Sequence, residues 1–487
     1  MSNEEPPPKR QRKDSGSHND DHVASNDSEA YIDTINRNKI DFDFEKLCLV
    51  SLSKSNVYCC LVCGKYFQGR SVSSPAYNHS IEWNHHVFMN LQTHKTYILP
   101  EDYQVTSPKA LKHLQDIIYL LNPTYSQQDV ARLDTEPSAY DLTHKPYFVG
   151  YIGLNKISKN DYSNVIVQAL AHIQPIRDFL LLLPNDSLYE VLEHKYPLVS
   201  MFGLMVRKIW SRHLFKPHVS PHEFLQLVSL MSKKSFSITH QSSPKHFMVW
   251  FLNQLHSQLT RAIGKKRTIL SKTLQGEIIV TTIPVVQKQA SDSTVQFERQ
   301  ESMKKISILK FWHLSLSLGP ASALKIQDTN DTVPQVSIEL LLLKYDGTTT
   351  SQASASELRT YKLKYPGPPF LIMHIDRNLE EGNIRGNPTV VKFPMVLDMA
   401  PYIEGEIGPQ KYQLVSSIKH HYVAGDTIDH KHDKQQWSIS LLADSHKSEW
   451  VHIQDLDVTK VDGEFLFLDE TYIQVWKRME SSHVLGD

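Results

Sequence analysis

"GLNKISKNDYSNVIVQAL", residues 153–170, is the stretch on which the fold turns. A polar loop carrying Asn155, Lys156 and Asn160 runs into YSNVIVQAL, whose apolar residues recur every three or four positions, as on one face of a helix. Asp161 stands at the junction, where backbone N–H groups lack helical partners and the helix dipole favours an anion. An enzyme can place a nucleophile at such a point. A carboxylate there can equally serve as a cap, contributing on the order of 1 kcal/mol.

Working outward, the segments SPHEFLQLVSLM (220–231) and FMVWFLNQLHSQL (247–259) repeat the helical period. Beyond them the pattern becomes strand-like in KISILKFWHLSLSL (305–318), VSIELLLL (336–343), PPFLIMHIDR (368–377), WSISLLA (437–443), GEFLFL (463–468) and YIQVWKR (472–478). Helices followed by strands imply an α+β domain, placed at 146–480. Residues 284–305 are polar enough to be expected as a loop or partly mobile insertion.

At 487 residues the chain is too long for one ordinary domain. Residues 1–30, rich in Asn, Asp, Ser and Pro, are expected to be a disordered tail, within which PPPKRQRK (6–13) reads as a nuclear-import signal. A small domain is expected at 31–105. The helical pattern SPKALKHLQDIIYLLNP that follows is read as a linking helix, with a connector over 106–145 stopped first by Pro123. No apolar run approaches the roughly 20 residues of a bilayer span, so a soluble, intracellular protein with no membrane contact is expected. A net charge of -1 gives no global field for nucleic acid.

All four cysteines, Cys48, Cys59, Cys60 and Cys63, fall within sixteen residues, and none follows. Such clustering suggests a metal site rather than disulfides. Cys60 and Cys63 form a C-x2-C knuckle, and His79 and His85 follow with fifteen and five residues intervening. Two thiolates and two imidazoles satisfy tetrahedral zinc, which would supply folding energy to a domain with little core. His86, adjacent to His85, is an alternative ligand; Cys48 and Cys59 read as core residues. A second cluster in DTIDHKHDK, with Asp429, His430, His432 and Asp433, has no apolar surroundings and reads as a solvated loop.

Taken in order, these segments resemble one family. CLVCGKYFQGR, HHVFMNL and YILPEDY look like a ubiquitin-protease-type zinc finger, and GLNKISKNDYSNVIVQAL looks like the Cys box that opens ubiquitin-specific-protease domains. PPFLIMHIDR, NPTVVKFP, YQLVSSIKHH and YIQVWKR resemble later signatures of that fold, over about residues 31–480. DTINR, DFDFEKLC, NDYSN and SPHEFLQ are closest to a splicing-associated pseudo-deubiquitinase subfamily, the snRNP-assembly-defective proteins.

The resemblance implies a papain-like fold with thumb, palm and fingers, and a Cys-His-Asp/Asn triad in active members. Carried onto this chain, the nucleophile position is Asp161, the general-base position Gln436, and the orienting position Gln454, with Asp455 one register away. Lys156 stands where an oxyanion-hole Asn is usual. In the finger, Lys65 takes an arginine-like place and Pro75 falls where some relatives carry another zinc-ligand histidine, so binding of a ubiquitin tail is not expected.

Chemistry agrees independently of the alignment. A cysteine protease needs a thiolate and an imidazole base, and residues 64–487 contain no thiol. Gln436 cannot exchange protons near neutral pH. The missing thiol implies a non-catalytic protein, and the subfamily resemblance implies a nuclear scaffold whose partners are spliceosomal tri-snRNP proteins, with a non-cleaving ubiquitin-binding module as the competing reading. Basic stretches such as AIGKKR (262–267) could touch RNA phosphates, but a solvated loop is expected there.

Overall fold

Apolar residues at Ala110, Leu114, Ile117 and Leu121 make one stripe of a helix, and the chain divides immediately after it. One unit comprises Met1–Phe42 and Lys46–Leu121; the other comprises Asp43–Glu45 and Asn122–Asp487. The computed structural model describes residues 31–135, 138–289, 295–319, 334–354, 356–379, 383–405, 408–425, 433–444 and 448–480. The import signal at 6–13 and Asp429, His430 and His432 lie outside the described residues.

The first unit holds β1 (Val57–Cys60), β2 (Tyr66–Gln68), α1 (Pro75–Trp83), β3 (Val87–Asn90), β4 (Thr96–Ile98), β5 (Tyr103–Gln104) and α2 (Pro108–Leu121). Its antiparallel sheet runs β2-β1-β3-β4-β5. Tyr58, Cys60, Phe67, Ala76, Phe88 and Leu99 form a small core. The expected connector over 106–145 is divided: α2 belongs to the first unit, while the capped turn of helix at Gln127–Arg132 belongs to the second.

In the second unit, helices α3 (Asp161–Ala171), α4 (Gln174–Leu182), α5 (Pro197–Ile209), α6 (His222–Met231) and α7 (Pro244–Ile263) come first. The strands follow: β6 (Gly276–Gln289), β7 (Val295–Arg299), β8 (Lys305–Phe311), β9 (His313–Ser317), β10 (Ser351–Ser354), β11 (Glu357–Leu363), β12 (Phe370–Asp376), β13 (Lys411–Val423), β14 (Lys434–Asp444), β15 (Glu449–Gln454), β16 (Asp457–Asp462) and β17 (Glu470–Arg478). The main sheet runs β9-β12-β17-β13-β14-β15-β16, antiparallel except for β9 on β12. A second sheet runs β7-β6-β11-β10, with β8 also on β6. Every residue of α3 is buried; it packs between α7 and β14, so a helix apolar on most sides becomes the centre of the domain. Among the described residues no single helix is long and apolar enough to cross a membrane.

Three local expectations are corrected. The polar stretch 284–305 includes paired strand: β6 continues to Gln289 and β7 returns along it from Val295, so β7 and β8 form the second leg of one long hairpin, interrupted by a 3-10 turn at Glu301–Met303. Backbone pairing here outweighs a polar side-chain pattern. VSIELLLL gives only the strand Gln335–Ser337 before turning helical at Ile338–Leu342, because the Ser337 hydroxyl accepts the Leu340 N–H as an N-cap. GEFLFL is a 3-10 segment capped by Asp462, whose carboxylate accepts the Glu464 N–H.

Candidate functional site

Two constellations carry chemistry, one in each unit. In the first, β1 delivers Cys60 into a tight knuckle. The Gly64 N–H donates to the Cys60 carbonyl at 2.8 Å, and Gly64 adopts φ +75° with the Lys39 carbonyl so close that a Cβ would lie 1.9 Å from it. Helix α1 presents His79, and its left-handed C-cap Asn84 (φ 54°) turns the chain so that the next two histidines diverge.

Ligand atoms of Cys60, Cys63, His79 and His85 all lie within 4.8 Å of one another. Cys63 Sγ is 3.4 Å from His79 Nε2, and His79 Nε2 is 3.1 Å from His85 Nδ1. The edges of a tetrahedron with zinc–ligand bonds of about 2.0–2.3 Å are roughly 3.5 Å for S to N and 3.3 Å for N to N, so these residues fit the ion. The two thiols act as a pair: the hydrogen bond with Cys60 holds Cys63 well below the usual thiol range and leaves the Cys60 thiol raised. His79 is lowered by burial.

His86 is not part of this set. Its Nδ1 meets the Leu99 carbonyl at 2.7 Å, its Nε2 meets Asn84 Oδ1 at 2.9 Å, and its ring stacks on Tyr31. Cys48 and Cys59 are buried, the former accepting N–H groups of Val50 and Ser51 at 3.4 Å. Both are core residues, as expected from the sequence.

The second constellation gathers at the N-terminus of α3. Asn160 organises the loop before it: its Oδ1 accepts the Ile157 and Ser158 N–H groups, and its Nδ2 donates to the Asn155 carbonyl and to Asn164 Oδ1. Asp161, 1% exposed, receives three donors: Lys156 Nζ at 3.0 Å on Oδ2, and Gln241 Nε2 and the Tyr162 N–H, each at 3.0 Å, on Oδ1. Lys156 also lies 3.9 Å from Asp455 Oδ2. That approach depends on Gly153, where a Cβ would stand 2.7 Å from the Leu456 backbone. Burial raises the Asp455 carboxyl, with Lys156 opposing and Asp161 adding to the rise.

Gln436 and Gln454 come together on neighbouring strands β14 and β15, Gln454 Nε2 donating to Gln436 Oε1 at 3.1 Å. Of the two candidates at the third position, it is Gln454 that reaches Gln436, while Asp455 turns to Lys156 with φ 54°. The space in front of Asp161 is bounded by Leu154, Asn164, Val165, Gln168, Trp437, Ile439, Ile453 and Asp455, and its volume is about 10 Å³. A cavity of that size holds about one water molecule. Gln241 and Trp437 escaped sequence reasoning, since neither a polar loop residue nor one aromatic on a strand is distinguishable by period or spacing.

The sequence profile described as ubiquitin carboxyl-terminal hydrolase matches residues 152–483, and that of the zinc finger in ubiquitin-hydrolases and other proteins matches residues 48–110. The chain belongs to the ubiquitin carboxyl-terminal hydrolase family. It is 37% identical over 460 residues to the probable mRNA-splicing protein ubp10 of Schizosaccharomyces pombe, covering 92% of this chain and 88% of the relative. Human ubiquitin carboxyl-terminal hydrolase 39 is 38% identical over 474 residues, 93% of this chain and 80% of the relative. The pre-mRNA-splicing factor SAD1 of Saccharomyces cerevisiae is 32% identical over 458 residues, 93% and 94% of the two chains. Within the hydrolase family the chain is thus a member of this splicing-factor branch.

A crystal structure of an essential yeast splicing factor superposes with a TM-score of 0.72 at 30% identity, covering 93% of this chain and 100% of that one. The SAGA DUB module bound to monoubiquitin matches at TM-score 0.50 and 13% identity, over 93% of this chain and 94% of that one, a likeness of fold alone. The hydrolase fold with an N-terminal zinc finger, expected from the resemblance, is therefore the fold of this protein.

Proposed function

We propose that this member of the hydrolase family is a nuclear, non-catalytic scaffold of pre-mRNA splicing, supporting assembly or stability of the spliceosomal tri-snRNP through protein partners. The names of its relatives support the splicing assignment. The observation that carries the non-catalytic reading is the pairing of Lys156 with Asp161 at the position where the resemblance puts a nucleophile. A carboxylate held by a lysine, a glutamine and a backbone N–H has its lone pairs engaged, and Gln436 offers no base to a leaving amine.

Zinc at Cys60, Cys63, His79 and His85 is a structural ion in this reading, tying β1, α1 and the turn into β3 beside one cluster of six buried residues. The test is purification of the tagged full chain from nuclear extract at moderate salt, probed for small nuclear RNAs and for mono- and polyubiquitin. Recovery of the tri-snRNP RNAs without ubiquitin is expected. Ubiquitin enrichment without those RNAs would overturn the scaffold reading in favour of a non-cleaving ubiquitin-binding module.

A further inference from the structure

Strand β8 is an edge. Its seven residues pair with β6 along Gly276–Thr282, the other side of that stretch is taken by β11, and among the described residues nothing pairs with the outer side of β8. Folded proteins usually blunt such edges with bulges, prolines, charged side chains such as lysine, or covering segments. None of the first two interrupts β8, whose register on β6 is unbroken from Lys305 to Phe311.

The edge is also apolar. Ile306, Ile308 and Leu309 are 64%, 52% and 56% exposed, the isoleucines on one face of the sheet and the leucine on the other. Alternating apolar residues exposed along an open row of N–H and C=O groups call for an extended backbone with apolar side chains of its own. Charge narrows the choice further. Lys304, Lys305 and Lys310 lie on or beside the strand, and no acidic residue occurs between Ser302 and Gly319.

We propose that β8 accepts an extended, acidic and apolar segment of a partner protein as an added strand. Self-pairing fits less well, because it gathers Lys305 and Lys310 of both copies along one seam to which the strand contributes no acidic residue. The edge belongs to the fold and stands whether or not the splicing assignment holds.

The test uses the full chain as bait for a random decapeptide display library, with the Lys305→Glu/Lys310→Glu variant as counter-screen. Both positions are exposed, and an unchanged thermal midpoint verifies that the variant is folded. Expected are peptides alternating Val or Ile with Asp or Glu, weakened about tenfold on the variant, as two reversed cross-strand charge pairs imply. N-methylation of alternate peptide amides on the pairing edge should abolish binding, and the bound peptide should protect amides of 305–311 from hydrogen exchange. Failure to enrich any peptide sensitive to the variant, or binding left undiminished by N-methylation of each of the two alternate sets in turn, would overturn the proposal. A concentration-dependent dimer that protects 305–311 without peptide would overturn it in favour of self-pairing.

Discussion

Lys156 Nζ lies 3.0 Å from Asp161 Oδ2, so the loop before α3 and the first residue of that helix satisfy each other's charge. The side chain of Asp161 is 2% exposed and that of Lys156 24%. A carboxylate so buried is tolerable only with a counter-charge and hydrogen bonds, and Gln241 with the Tyr162 N–H supply the latter.

Removing one partner should therefore cost more than removing both. Lys156→Met leaves the buried Asp161 carboxyl without its lysine partner and is expected to destabilise the second unit by about 3 kcal/mol. Lys156→Met/Asp161→Asn should recover at least half of that, since a neutral amide can still meet Gln241. Urea midpoints for the two variants decide it, and a double variant no more stable than the single one would show that the pair is not the reason for the lysine.

At the zinc centre the adjacent histidines should separate cleanly. His85→Asn is expected to lose the ion and unfold the first unit, because a closed structural site contributes much of the folding energy of a domain with a small core. His86→Asn should retain one zinc per chain and lose only about 1 kcal/mol with its hydrogen bond to Leu99. Metal content by mass spectrometry and the melting of the first unit, with and without a chelator, read both outcomes.

Much of this architecture was legible in the residues, and the exceptions have physical causes. The Cys60, Cys63, His79 and His85 cluster was readable because metal geometry constrains spacing, yet His85 and His86 could not be told apart until the left-handed Asn84 set their directions. Helix α3 was readable from its period, and the strands PPFLIMHIDR and YIQVWKR from their apolar runs. VSIELLLL misled because a continuous apolar run does not distinguish a buried strand from a buried helix, and one hydroxyl, Ser337, tips the choice. The Lys156 to Asp161 pair was invisible for a related reason: five residues apart across a loop, their meeting depends on the path that Asn160 imposes.

Placing the triad of active members at the three positions that the resemblance assigns should not produce hydrolysis. Asp161→Cys/Gln436→His/Gln454→Asn places the three side-chain types of an active member, but Lys156 remains beside the nucleophile and the cavity still admits about one water. Release of a fluorophore from a ubiquitin C-terminal amide is expected to stay at background. Turnover by this variant would overturn the reading that the surroundings of Asp161, and not only the three side chains, oppose hydrolysis.

Acid should destabilise the second unit in a defined window. Burial lowers His172, His313 and His452 to about 4, against roughly 6.5 in an unfolded chain. Between those values the unfolded state binds protons that the folded state refuses, so stability falls as pH falls from about 6.5 to 4, and above that window the three groups contribute no slope. Each histidine can add on the order of 1 kcal/mol per pH unit inside it. His172 is the most instructive of the three, because its Nδ1 is held at 2.7 Å by the Gln168 carbonyl and its ring lies between Tyr151 and Trp210, with Arg177 nearby to oppose a second positive charge. His172→Gln keeps a donor for that carbonyl and cannot be protonated. Hydrogen exchange of the α3 amides, followed from pH 7 to pH 4, should show a shallower loss of stability in this variant, by the equivalent of one proton, and equal slopes would mean that His172 already carries its proton in the folded state.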